Sequence, residues 1–259
     1  MMARMGANVR NVLWTAGWDS TFRVADLVLN HRSPVQPHYV EDWRRPSTPM
    51  ELRRQEEIRA AIGRLDREAA RLIRPTVVHA YDEIPTDPRL RALLEEARRE
   101  GFLGAQYVFL TAMARAAGLA DLELCVHRDD KAAALLAGDV EHHDDGAGGY
   151  HSLVPAPSRV AAELLRPFRF PLFDLTKVEM EQRAAAGGFG EVMELTWFCH
   201  YPTRSGGPCG ICNPCRYTRE EGLGRRVPPA TRRRRVVHHV RRKGGAVRRR
   251  VGHLLGTLR

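Results

Sequence analysis

Apolar positions along this chain recur in two rhythms, and their alternation predicts an α/β fold. Asn11 to Trp14 is a short apolar run. A tight Thr-Ala-Gly-Trp-Asp-Ser-Thr segment follows, then Phe22, Ala25 and Leu29 at helical spacing. That order reads strand, loop, helix. Val35 to Val40 reads as a second strand. Thr48-Pro49-Met50-Glu51 has the form of a capping box with proline at the first helical position. Ile58, Ile62, Leu65, Ala69 and Leu72 then make one stripe on a long helix. Thr76 to His79 reads as a third strand. Asp87-Pro88 caps a helix with Leu90, Leu93, Leu94 and Ala97 on one face, ended by Gly101. A further helix spans Ala105 to Ala117, and Leu122 to Val126 is a fourth strand. From Gly138 to Pro157 neither rhythm holds. His, Asp, Glu and Gly dominate, which reads as a mobile or substrate-facing loop. Pattern returns at Phe168-Arg-Phe-Pro-Leu-Phe. Thr176-Lys-Val-Glu179 is a second capping box, opening a helix to Ala186. Strands alternating with helices in this way predict a doubly wound parallel sheet, covered on both faces.

Charge divides the chain in two. The net charge of +10 is carried by a tail, because Leu223 to Arg259 holds 13 Lys/Arg and no Asp or Glu. The body then has 28 basic against 31 acidic residues. We read residues 9–222 as the folded domain and 223–259 as a basic, Arg-rich tail. The tail suits either a disordered extension or a segment that becomes helical on a nucleic acid or an anionic surface. No apolar run approaches a membrane span, and Met1 to Val9 has no signal-peptide core. A cytoplasmic location is the expectation, which keeps thiols reduced.

Cysteine placement adds chemistry. Four of the five cysteines, Cys199, Cys209, Cys212 and Cys215, lie within 17 residues. Disulfides are the competing reading. Adjacent Cys-x-x-Cys pairs in a chain expected inside the cell suit a tetrahedral zinc site better, with four thiolates leaving no open position. Cys125, in an apolar strand, reads as a core residue. His142, His143, Asp144 and Asp145 read mainly as a solvated loop.

The segment Thr15-Ala16-Gly17-Trp18-Asp19-Ser20-Thr21 sits between the first strand and first helix, where open α/β sheets bind ligands. Small residues let the backbone approach a ligand, and the helix N-terminus offers N–H groups to phosphate. Neither a Walker loop nor a dinucleotide fingerprint is present. Taken alone, an ordinary capped turn remains the alternative. Lys177 falls in the first turn of its capped helix, where a cation opposes the macrodipole. A phosphate-facing role accounts for it better than local stability does.

The loop resembles the Ser-Gly-Gly-x-Asp-Ser loop of the PP-loop ATP pyrophosphatases. Within that superfamily the chain resembles the 7-cyano-7-deazaguanine synthases, which make the nitrile precursor of queuosine. Three further stretches carry the resemblance: Gly104-Ala-Gln-Tyr-Val-Phe-Leu-Thr-Ala-Met-Ala, Pro171-Leu-Phe-Asp-Leu-Thr-Lys-Val-Glu, and Thr196-Trp-Phe-Cys199 with the three later cysteines. Together they cover residues from about 9 to 222 in family order. Ala16 and Ala105 depart from the family's glycine and arginine, and its Ser-Gly-Tyr-Pro-Asp-Cys-Arg segment has no match.

The resemblance implies a Rossmann-like PP-loop fold and a carbon-nitrogen ligase that forms AMP and pyrophosphate. ATP phosphates would lie on Thr15 to Thr21, with Gly104 and Gln106 nearby and the adenine beside Tyr39 and Val40. Asp19 would help hold magnesium, and Lys177 would lie near the phosphates. A carboxylate would be adenylated and opened by ammonia or an amine, to an amide or onward to a nitrile. Apart from the resemblance, His127-Arg128-Asp129-Asp130 follows the fourth strand and is placed for substrate or metal, with Arg128, Asp129 and Asp130 the candidate substrate residues and a solvated charged loop the alternative. Zinc would fasten the end of the chain, and a homodimer is possible in such a family. Two other readings stay open: a PP-loop tRNA-modifying sulfur transferase, and a non-enzymatic zinc-ribbon protein that binds nucleic acid.

Overall fold

The computed structural model describes residues 9–101, 103–231, 234 and 235. The chain divides into two units. One comprises the segments up to Asp42 and Leu52–Thr196; the other comprises Trp43–Glu51 and the chain from Trp197 onward.

In the first unit, β1 (Arg10–Leu13) leads through residues 14–17 into α1 (Trp18–Leu29), and β2 (Val35–Glu41) follows. Helix α2 (Thr48–Leu65) begins one residue before its proline, with Glu51 N–H donating to Ser47 O at 2.9 Å. The expected long helix stops there. Asp66 accepts from the N–H groups of Glu68 and Ala69, at 2.8 and 3.0 Å, and caps a separate helix α3 (Arg67–Arg71). An aspartate carboxylate that satisfies nearby N–H groups offers the backbone an alternative to continuing the helix. Ile58, Ile62 and Ala69 are buried as the stripe predicts, but Leu65 at the break is exposed. β3 (Val77–Ala80) comes next, then α4 (Pro88–Glu100) capped by Asp87, α5 (Gln106–Ala116) and β4 (Leu122–Glu123). β4 is shorter than its apolar run. Val126 N–H folds back onto Leu124 O at 2.7 Å and takes the chain off the sheet.

After α6 (Lys131–Leu136), the segment read as a mobile loop forms a hairpin of β5 (Val140–His143) and β6 (Tyr150–Leu153). Its turn is pinned by Asp145, which accepts from Ala147 and Gly149 N–H and pairs with Arg10 at 2.7 Å. β7 (Phe168–Phe170), α7 (Lys177–Ala186) and α8 (Gly190–Glu194) complete this unit. The capping box at Thr176 and Glu179 is present in both directions.

The seven strands run in the order β3-β2-β1-β4-β7-β6-β5. The first five pair in parallel; the last two joins are antiparallel. The chain winds outward from β1 to β3, then returns to place β4 on the other side of β1. Ligands of open α/β sheets bind at the strand ends where the order reverses in this way. One core joins Leu13, Leu122, Phe168 and Phe170 to Leu90, Leu94, Leu110 and Met113 of α4 and α5. Helices α1, α3, α7 and α8 form a separate group. The largest polar element in the interior is Arg23 on α1, held bidentately by Glu123 of β4 at 2.7 and 2.9 Å. Its third bond goes to Ala147 O at 2.7 Å.

The second unit contains α9 (Asn213–Thr218) and a compact group of Trp197, the four clustered cysteines and Val227. Met50, Phe198, Tyr201 and Ile211 pack against it. Most of the predicted basic tail, from residue 236 on, lies outside the described residues.

Candidate nucleotide and metal sites

The turn from β1 to α1 lies at the reversal point of the sheet. Gly17 is the N-cap of α1 and has no side chain to satisfy the first-turn N–H groups. Ala16 sits at φ 55°, left-handed backbone that a Cβ disfavours by roughly 1–2 kcal/mol. Strain of this kind is tolerated where the surroundings demand a particular path. Trp18 and Ser20 are buried, Thr15 and Gly17 half-buried. Thr21 is fully buried, and its hydroxyl accepts from Trp14 Nε1 at 3.0 Å. That hydrogen bond helps hold the loop.

Two helix N-termini meet here. Lys177, the first residue of α7, brings Nζ to 3.7 Å from Oδ2 of Asp19 in the first turn of α1. Asp19 Oδ1 is buried with no hydrogen-bond partner. A carboxylate oxygen in that state suits a cation or a donor from a ligand. Around it, Asp130 is pushed up from the ordinary carboxylate range by burial, with the nearby Asp19 charge adding to it; Lys177 and His127 oppose. Tyr107 lies against Gln106 and Asp130, and burial raises its phenol well above the usual value. Asp19, Gln106, Tyr107, His127, Asp130 and Lys177 thus come together, although they are spread over nearly 160 residues of sequence. His127 opens the charged His127-Arg128-Asp129-Asp130 run after the fourth strand, a position suited to substrate or metal, whereas Tyr107 had no signal in the sequence beyond its place beside Gln106.

The remaining expected residues divide. Asp130 caps α6 by accepting from Ala132 N–H at 2.9 Å. Arg128 is exposed, and its guanidinium donates to Asp174 O and approaches Glu179, in the segment that leads into α7. It therefore braces the approach to Lys177. Asp129 is exposed in the turn. Gly104 is half-buried and Gln106 exposed. Tyr39 and Val40 are buried within β2. Cys125 is half-buried rather than in the core, and burial followed by the Glu123 charge pushes its thiol pKa well up.

In the second unit, the Sγ atoms of Cys199, Cys209, Cys212 and Cys215 all lie within 4.8 Å of one another. Three of the separations are 3.8, 3.8 and 3.4 Å. Four sulfurs tetrahedral about zinc at about 2.3 Å would be about 3.8 Å apart, whereas a disulfide requires about 2.05 Å. The four thiols are free of disulfides. Backbone N–H groups of Tyr201 and Cys209 donate to Cys199 Sγ, at 3.4 and 3.1 Å. Those of Ile211 and Cys212 donate to Cys209 Sγ, at 3.4 and 3.3 Å. Donors aimed at sulfur stabilise thiolates and orient metal ligands. The knuckle needs Gly210: its φ is 80°, and a Cβ would fall 2.5 Å from Pro228 O. This cluster can hold a metal ion such as zinc.

Among the described residues, no helix is long and apolar enough to cross a membrane. No family model matches the chain, and no curated protein matches it.

Proposed function

We propose that this chain is an ATP-dependent carbon-nitrogen ligase of the PP-loop class, which adenylates a carboxylate and passes it to ammonia or an amine. The reading rests above all on the uncapped N-terminus of α1 meeting Lys177 at the reversal point of the sheet. The first-turn N–H groups after Gly17 donate to phosphate oxygens. Lys177 neutralises charge as pyrophosphate leaves, and its cost to α7 is the reason to expect a functional gain. The buried, unbonded Oδ1 of Asp19 fits a magnesium ligand, and magnesium when bound supplies charge neutralisation at the phosphates. Asp130 and His127 line the side where the carboxylate would sit, with Asp129 at its rim. Tyr107, kept as a neutral phenol, supplies a hydrogen-bond donor there. The work of these residues is alignment and charge compensation.

The four cysteines hold zinc in a closed structural site with no catalytic position. Sulfur transfer is the weaker chemistry for this chain. Cys125 is the one thiol outside the cluster, and its raised pKa keeps it protonated and poorly nucleophilic at neutral pH.

The test is ATP–pyrophosphate exchange over a panel of carboxylates that includes 7-carboxy-7-deazaguanine. Exchange that requires one of these carboxylates, with AMP released when ammonia is added, is the expected outcome. AMP formation only in the presence of tRNA and a sulfur donor would overturn it.

A further inference from the structure

The charge of this protein is distributed by unit. The segments Trp43–Glu51 and Trp197–Arg259 together carry 18 Lys/Arg against three Asp/Glu, while the rest of the chain carries 23 against 28. The ligase reading makes no use of this. Outside the 223–259 tail this unit still holds five Arg against three Glu, and Arg44, Arg204, Arg216 and Arg219 are exposed; Arg225, at the start of the tail, is exposed as well.

Aromatic side chains sit among these cations. The Arg226 guanidinium lies 5.4 Å from the centre of the Phe198 ring, and that of Arg216 lies 5.1 Å from Tyr217. Trp43 is 65 % exposed, the most exposed large hydrophobic among the described residues of this unit. Among the described residues, the other exposed large hydrophobics, Leu65, Val77, Val78, Val160 and Val178, all belong to the first unit. A membrane-binding face combines cations with several clustered aliphatic side chains. Flat rings interleaved with guanidinium groups are what a single-stranded polynucleotide uses, bases stacking on the rings and phosphates pairing with arginine.

We propose that the second unit is a binding surface for single-stranded nucleic acid. Trp43 is its exposed stacking platform, and Arg204 and Arg225 are phosphate contacts. The Phe198–Arg226 pair adds a second stacking position, fixed by the cysteine-centred core on which Phe198 packs. The proposal is independent of the ligase chemistry, so each can fail without the other.

Fluorescence anisotropy of labelled oligouridylate and oligodeoxythymidylate with the metal-loaded full chain tests it. A matched duplex and phosphatidylserine vesicles serve as the other arms. Both single strands should bind, more tightly than the duplex, with affinity falling steeply as salt rises. Trp43→Ala should weaken binding roughly tenfold without changing the salt slope, as expected for one lost stack. The pair Arg204→Gln and Arg225→Gln should reduce the slope by up to about 1.4, at about 0.7 per phosphate contact. Unchanged metal content in each variant guards against loss of fold. Absence of oligonucleotide binding at low salt, binding of vesicles in its place, preference for the duplex, or a Trp43→Ala variant that binds like the parent would each overturn the proposal.

Discussion

The junction of the α1 and α7 N-termini and the cysteine cluster are held in shape by opposite means. The junction takes its form from a seven-stranded sheet whose interior is apolar apart from matched groups such as Arg23 and Glu123. Nothing need be bound for that unit to bury its core. The cluster has a buried core of six residues, four of them cysteines. Thiols packed at 3.4–3.8 Å with N–H groups aimed at them gain their full value when a cation is shared. One unit is stabilised by burial, the other offers a set of metal ligands, and the two should respond differently to the same perturbations.

The largest expected effect separates them outright. Chelation, or Cys212→Ser, should abolish metal binding at the cluster, and such binding contributes on the order of 10 kcal/mol to small domains built around a metal. Hydrogen exchange should show amides of residues 197–227 losing protection while those of β1, β2 and β4 keep theirs. Uniform loss across both units would erase the contrast. Next is Arg23→Ala, which leaves Glu123 buried and unpaired and should cost about 3–5 kcal/mol by denaturant unfolding, with metal content unchanged. A cost under about 1 kcal/mol would show that the pair is not as closed to water as its burial implies.

A smaller effect depends on pH and again falls in the sheet. His38 on β2 donates from Nε2 to Asn11 Oδ1 at 3.1 Å, and its Nδ1 lies 3.0 Å from His79 Nε2 on β3. Asn11 in turn donates to Asp121 at 3.2 Å. Burial, and then the neighbouring His79, lower the His38 pKa to about 4. The unfolded chain therefore takes up this proton first as pH falls. Stability from His38 is complete above pH 6.5, declines as pH falls toward 4, and is level below that. His79 is shifted in the same direction by burial. Melting temperature should drop by several degrees over this window, at roughly 2–4 °C per kcal/mol for a chain of this size. His38→Asn should flatten the decline; an equal decline in that variant would assign the effect to other groups.

Much of this was legible in the sequence where a local rule had one outcome. Asp87-Pro88 and Thr176–Glu179 open helices as their capping chemistry requires. The cysteine spacing places four sulfurs together. The misreadings fall where two rules compete. Asp66 sits inside an apolar stripe of helical period, and its capping of Glu68 and Ala69 prevailed over the stripe. The hairpin of β5 and β6 lies at the sheet edge with both faces partly wet, so its residues never alternate between apolar and polar. Its fixed turn depends on Arg10 and Arg23, which are more than 100 residues away. The junction was legible in part for the same reason. The loop and Lys177 carried motifs, whereas Tyr107 and Asp130 acquire their shifted proton affinities from burial that no local pattern encodes.

The central claim is that Lys177 and Asp19 form a nucleotide-activating site in a unit that does not need the metal to fold. Pyrophosphate exchange by Lys177→Ala, with zinc content and the far-ultraviolet spectrum recorded on the same sample, tests it most directly. Exchange should fall at least a hundredfold, on the order of 3 kcal/mol of lost transition-state stabilisation, with zinc and spectrum unchanged. Exchange at the parental rate, or loss of zinc together with the fold, would contradict it.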